Sequence, residues 1–336
     1  MTARKEVILS AGAVNTPQLL MLSGIGDPAE LASLGIATRV NLPSVGKNLT
    51  DHVRLSNAWQ INNNETLNSY LAPDVLPQSI QNWNETHQGP LSWTVTNQMA
   101  WVRLPQNDPI IQAHGDPSPG PTSAHYQFIW TNGWLATPEP EKSWMTCLTN
   151  LISPTSRKSL IPYAPPVQSL IVFRAGGEIK LRSQDPFEPP IINPNFLSTD
   201  FDIKTMIAAV RTVKRFMTAR AWRGFVIAPW KSLASANTDE EITQYIRDGA
   251  SKYVEPLDCF PPQDLLTLTA QCSVFHPVGT ASISHRGAQW GVLDPDFRVK
   301  GTNGLRVVDA SAIPYVPSAH SRFSLKCKGP VPDRCE

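Results

Sequence analysis

Proline recurs along the whole of this chain, 31 times in 336 residues, and that habit restricts the fold more than any other feature. Each proline fixes φ and removes a backbone donor, so the sequence favours short elements on long irregular connections over a helical bundle. The strand signals are accordingly brief. Leu91-Ser-Trp-Thr-Val95, Met99-Ala-Trp-Val-Arg-Leu104, Tyr126-Gln-Phe-Ile-Trp130 and residues 145–152 are rich in aromatic and β-branched side chains. Residues 62–65, 82–86 and 108–122 read as loops. One stretch has a clear helical period: after Asp200, the residues Ile203, Met206, Ile207, Val210, Val213, Phe216 and Met217 share a face opposite Lys204, Arg211, Lys214 and Arg215. A shorter helix is expected over 240–247. Many short strands, long loops and a few helices make a mixed α and β chain, with an antiparallel sheet flanked by helices.

Charge and cysteine usage narrow the partners. The net charge is +1 with no long run of either sign, so nothing points to nucleic acid. No apolar run reaches the length needed to span a bilayer. Five cysteines, Cys147, Cys259, Cys272, Cys327 and Cys335, lack Cys-x-x-Cys spacing and nearby paired histidines, so no metal site is expected. Asn48, Asn64 and Asn84 each open an Asn-x-Thr acceptor triplet, a lean towards secretion, although the first residues carry no apolar signal-peptide core.

Chemistry concentrates in the last third. Phe275-His-Pro-Val-Gly-Thr280 places His276 before a short apolar strand, Leu305-Arg-Val-Val308, which ends in Asp309; Ile313-Pro-Tyr-Val-Pro-Ser-Ala-His320 places a second imidazole after it. Two histidines flanking a strand that closes in a small-residue turn can bring two tunable bases to one point. A Ser-His hydrolase is the weaker reading, because no Gly-x-Ser-x-Gly elbow occurs. At the other end, Glu6-Val-Ile-Leu9 reads as a short buried strand that turns through Ser10-Ala-Gly-Ala13 into a helix, with Thr16 as its N-cap, Pro17 as its first residue and Gly24 as its stop.

These segments resemble the glucose-methanol-choline (GMC) family of flavin oxidoreductases. Residues 304–320 are similar to its C-terminal signature, and Gly12-Ala-Val-Asn-Thr-Pro-Gln-Leu-Leu-Met-Leu-Ser-Gly-Ile-Gly26 matches its second signature at every specified position. The resemblance implies an FAD cofactor, a small-molecule alcohol as donor, and O2 or a quinone as acceptor. It implies His276 as the base for the hydroxyl proton, His320 as its partner on the same oxygen, and Phe275 as an aromatic wall for the substrate. It also places Ala11, Gly12, Asp309 and Ala310 beside the cofactor, the last two through backbone groups. His52, in Asn48-Leu-Thr-Asp-His52, falls at a structural turn of the family pattern. The Ala319-His320 pair with Pro317-Ser318 before it is most similar to the aryl-alcohol oxidase branch, which implies aromatic primary alcohols; sugars stay open. Full-length members of this kind are expected outside the cell.

The resemblance implies a partial FAD-binding domain over 1–48 and 286–320, with a substrate domain over 49–285. It also breaks in three places. No Gly-x-Gly-x-x-Gly phosphate loop occurs anywhere in the sequence. Residues 158–176 and 254–272 interrupt family-like segments and have the size of short introns read through as protein. Residues 321–336 form an atypical tail without helical period. An alternative follows: a non-catalytic remnant that does not retain FAD on its own.

Overall fold

The computed structural model describes residues 3–93, 96, 98–134, 143–155, 176–250 and 273–319. His320, the tail and nearly all of both expected insertions lie outside the described residues, as do four of the five cysteines.

Among the described residues, five antiparallel strands form the main sheet, in the order Val226–Pro229, Val53–Ile61, Trp144–Leu151, Tyr126–Thr131, Gln98–Val102. Side chains alternate between its two faces. Val53, Leu55, Trp59 and Ile61 of the long second strand point to one side, where Met145, Cys147, Leu151, Tyr126 and Phe128 join them. Helices Asp200–Met217 and Asp239–Ala250 cover that side through Met206, Val210, Val213, Ile242 and Ile246. Each such side chain contributes roughly 1.5–3 kcal/mol by leaving water. The first helix begins where the sequence directs: Thr199 accepts the Asp202 N–H, acidic residues occupy the first turn and Lys214 and Arg215 the last. Phe216, expected on the buried face, stays half exposed in the last turn against Trp130 and Trp222.

A second apolar cluster lies outside the sheet. It gathers Leu20, Met21, Ile25, Leu31, Val45 and Leu49 from the start of the chain, Ile179 and Leu181 from the middle, and Val292, Leu293, Val299 and Val307 from the end. The outermost pieces meet as a parallel pair, Val7–Leu9 with Leu305–Val307. No helix among the described residues is long and apolar enough to cross a membrane.

Local expectations fail where tertiary contacts outweigh them. Residues 82–86 belong to the helix Leu76–Thr86, whose polar side chains face solvent and which His87 stops in the left-handed conformation. Pro90–Ser92 is a 3-10 turn behind Gly89 (φ +92°), so the strand expected from Leu91 does not start there. The 108–122 loop contains a short helix, Pro109–His114, with Asp108 as its N-cap. Val7 and Ile8 are about half exposed (47% and 54%), not buried, because their strand is paired on one side only among the described residues.

The early helix also departs from expectation. It spans Gly12–Leu22, so Thr16 and Pro17 lie inside it and do not cap it. Pro17 cannot bond the Ala13 carbonyl, and the Thr280 hydroxyl donates to that oxygen at 2.6 Å instead. A proline that would interrupt an isolated helix thus becomes the attachment point for the loop carrying His276.

Candidate active site

His276 sits in a loop whose backbone is fixed at several points. Thr50 and Val278 exchange hydrogen bonds as an antiparallel bridge, and the Val274 N–H donates to the His52 carbonyl. Gly279 (φ +95°) lies so close to Asn48 that an added Cβ would come within 2.3 Å of its carbonyl oxygen. Asn48 itself spans to Ser282 Oγ and the Pro314 carbonyl, each at 3.0 Å.

The centre of this arrangement is Asp51. Its Oδ1 accepts the backbone N–H groups of His52 at 2.7 Å and His276 at 3.0 Å, and its other oxygen accepts the Ser273 hydroxyl. One carboxylate therefore fastens the backbones of two histidines 224 residues apart. Burial pushes the Asp51 carboxyl up to about 6. The bonds from Ser273, His52 and His276 and the charge of Arg54 oppose that rise without cancelling it.

The two rings then meet edge to face. His52 Nδ1 lies 3.1 Å from His276 Nδ1, with centroids 5.3 Å apart and planes at 83°. Both side chains are buried, at 1% and 8% exposure. Phe275 is half exposed and holds φ +62°, a region an aromatic residue rarely occupies, with its N–H on Ser273 Oγ at 2.7 Å.

The residues expected beside the cofactor form a ledge next to this loop. Ala11 is exposed, Gly12 (φ +83°) half-buried, and a Cβ on Gly12 would meet nothing within 4 Å. Asp309 turns inward: Oδ2 accepts the Gly12 N–H at 3.0 Å and the Thr16 hydroxyl at 2.5 Å, while Oδ1 accepts the Ser311 N–H and hydroxyl. Its charge is thus spent at the N-terminus of the helix Gly12–Leu22. Small residues at Ala11, Gly12 and Ala310 leave the outer side open to close backbone approach, which suits an extended dinucleotide. The ledge and the histidine loop are one construction, because Thr280 reaches Ala13 and the Ala281 N–H donates to the Ser311 carbonyl at 2.9 Å.

His276, Phe275, Ala11, Gly12, Asp309 and Ala310 therefore stand on connected segments. His320 is outside the described residues, but Ile313 and Val316, which lead towards it, pack on Val278, two positions past His276. By sequence His52 falls at a turn and Asp51 has no role of its own. The only available signal was an acid adjoining a histidine inside a run otherwise bound for the core.

Two models described as GMC oxidoreductase match residues 1–54 and 174–325, together more than half of the chain. The dehydrogenase eriK of Hericium erinaceus is 32% identical over 96% of this chain and 49% of its own length. A pyranose dehydrogenase of Agaricus campestris is 33% identical over 96% and 48%. The chain spans about half the length of the curated relatives it matches. Among solved structures, the formate oxidase of Aspergillus oryzae superposes with a TM-score of 0.76 at 26% identity, over 96% of this chain and 52% of that one. A fungal aryl-alcohol oxidase shares the fold with a TM-score of 0.65 at 23% identity, over 97% of this chain and 53% of that one. The family is FAD-dependent. By its two matched segments, its antiparallel sheet and the joining of its first and last strands, the chain belongs to the GMC oxidoreductase family.

Proposed function

We propose that this polypeptide carries the proton-handling side of an FAD-dependent oxidation of CH–OH donors. The observation that carries the reading is His276, held by its backbone on Asp51 and by its ring on His52, on a loop bonded to the small-residue ledge. Ala11, Gly12 and Ala310 would hold the cofactor from that ledge, with Asp309 fixing the helix N-terminus behind it. FAD, when bound there, would supply the hydride acceptor for the carbinol carbon. The hydroxyl proton goes to His276 and the donor's C–O bond becomes a carbonyl, with His320 as the second hydrogen-bond partner of that oxygen. Base catalysis of this kind is worth about 100- to 10,000-fold. O2 or a quinone would be the final electron acceptor.

For the donor, the family resemblance of 317–320 favours aromatic primary alcohols, and Phe275 supplies an aromatic neighbour. A second donor class, pyranose-type polyols, is favoured by the other face of the sheet. That face runs on from His52 through Arg54 and Ser56, and Arg54, Asn150, Gln127 and Trp101 follow one another across it by register. Among the described residues, buried Ser56 Oγ, Asn150 Oδ1 and Thr131 Oγ1 lack partners, as hydroxyl-binding groups would before a polyol arrives. The alternative is a non-catalytic remnant that does not retain FAD on its own.

The test is the absorption spectrum of the purified 336-residue protein before and after FAD is added, followed by turnover of veratryl alcohol and of glucose with O2 or benzoquinone. Retained flavin, with turnover that His276→Gln lowers at least 100-fold, is the expected result. Protein that binds no flavin and oxidises neither donor would leave the remnant reading in its place.

A further inference from the structure

The His52–His276 contact constrains which nitrogen of His276 can do chemistry. Two neutral imidazoles whose Nδ1 atoms are 3.1 Å apart can share only one proton between those atoms, because two N–H groups would collide and two lone pairs would repel. The contact is not an accident of flexible side chains. Both backbones are fastened to Asp51 Oδ1, both rings are buried, and the ring planes stand at 83°. Of the two nitrogens of His276, Nδ1 is thereby occupied, and Nε2 is the one turned away from His52.

We propose that His52 is the positioning residue of the site: its Nδ1 accepts a proton from His276 Nδ1–H and so holds His276 in the tautomer whose lone pair is on Nε2. This deepens the function proposed above and rests on that reading for its catalytic consequence. If the proton lay on His52 Nδ1 instead, the lone pair of His276 would face His52 and be closed to any donor. With the proton on His276 Nδ1, the donor's hydroxyl proton arrives at Nε2 and the resulting imidazolium keeps a charge-assisted bond to His52. An isolated imidazole carries its proton mainly on Nε2, so His276 would hold the less common tautomer because a neighbour selects it.

The experiment is a nitrogen-15 imidazole spectrum of the whole protein, which distinguishes protonated from bare ring nitrogens independently of activity. Wild-type His276 is expected to show a protonated Nδ1 and a bare Nε2. His52→Asn places an amide oxygen where Nδ1 stood and should keep that pattern, whereas His52→Leu offers no acceptor and should return His276 to the Nε2–H form. Where turnover is measurable, His52→Leu should lower kcat at least tenfold with KM little changed, and His52→Asn should restore most of it. A wild-type His276 protonated on Nε2 and bare on Nδ1 overturns the proposal, as does an unchanged tautomer in a His52→Leu protein that melts as a folded chain. The expected tautomers with no turnover in any variant would count against the proposed oxidation and leave this assignment standing.

Discussion

At the scale of single residues, Asp51 is the group whose titration the fold controls most visibly. Buried among the histidine loop's donors, it titrates at about 6 against an ordinary value of 3.8, because the loss of water outweighs three hydrogen bonds and the charge of Arg54. The folded state therefore binds this proton more tightly than the unfolded chain does. Stability contributed by the protonated form declines as pH rises from about 4 to about 6 and is flat above that, a change of roughly 3 kcal/mol at full burial. Asp51→Asn keeps an acceptor for the two backbone N–H groups and removes the charge. Melts taken every half unit from pH 4 to 7 should show the wild type losing ground to Asp51→Asn across that window; parallel curves would exclude Asp51 as the titrating group. Locally the sequence shows only an acid beside a histidine. Its partners are one residue away and 222 to 225 residues away, and only the second set gives it a role.

At the scale of elements, the helix Gly12–Leu22 shows how a local rule is satisfied by a remote segment. The sequence places Pro17 at the helix start, but the helix begins five residues earlier and the Thr280 hydroxyl takes over the bond that proline cannot make. Thr280→Val is nearly the same shape and leaves the Ala13 carbonyl buried without that donor. It should cost about 1–3 kcal/mol in urea denaturation, with most of the loss recovered by Thr280→Ser. Equal stability of the valine and serine variants would mean that the carbonyl finds another donor. Gly279→Ala is expected to be harsher, roughly 2–4 kcal/mol, since the residue holds φ +95° and the new methyl would meet the Asn48 carbonyl. A melting point within a degree or two of wild type would count against the close packing of the histidine loop on 48–50. By contrast, the helix Asp200–Met217 and the strands Tyr126–Thr131 and Trp144–Leu151 were legible in advance, because apolar period, β-branched content and caps agree within each of them.

At the scale of the whole molecule, two apolar clusters share one chain that passes between them at 49–53, 181–197 and 273–281. Ile246 is fully buried in the cluster under the sheet and Leu293 in the other. Either residue changed to Ala should cost about 2–5 kcal/mol. Because the bridges Leu49 to Gly177, Thr50 to Val278 and Val53 to Ser273 tie the clusters together, both variants should lower one shared calorimetric transition. Two transitions, each shifted by one variant alone, would show that the clusters unfold separately. The amino-acid sequence by itself determined the class of fold and the family and marked out His276 and the small-residue turn as candidates, since these rest on residue type and spacing along short stretches. Only the tertiary structure decided that Asp51 binds both histidine backbones, that His52 faces His276, and that Asp309 serves the helix N-terminus with its side chain. The contacts of Asp51 and His52 with His276 and of Asp309 with Gly12 join segments more than 200 residues apart, and they exist only once the two clusters have brought the ends of the chain together.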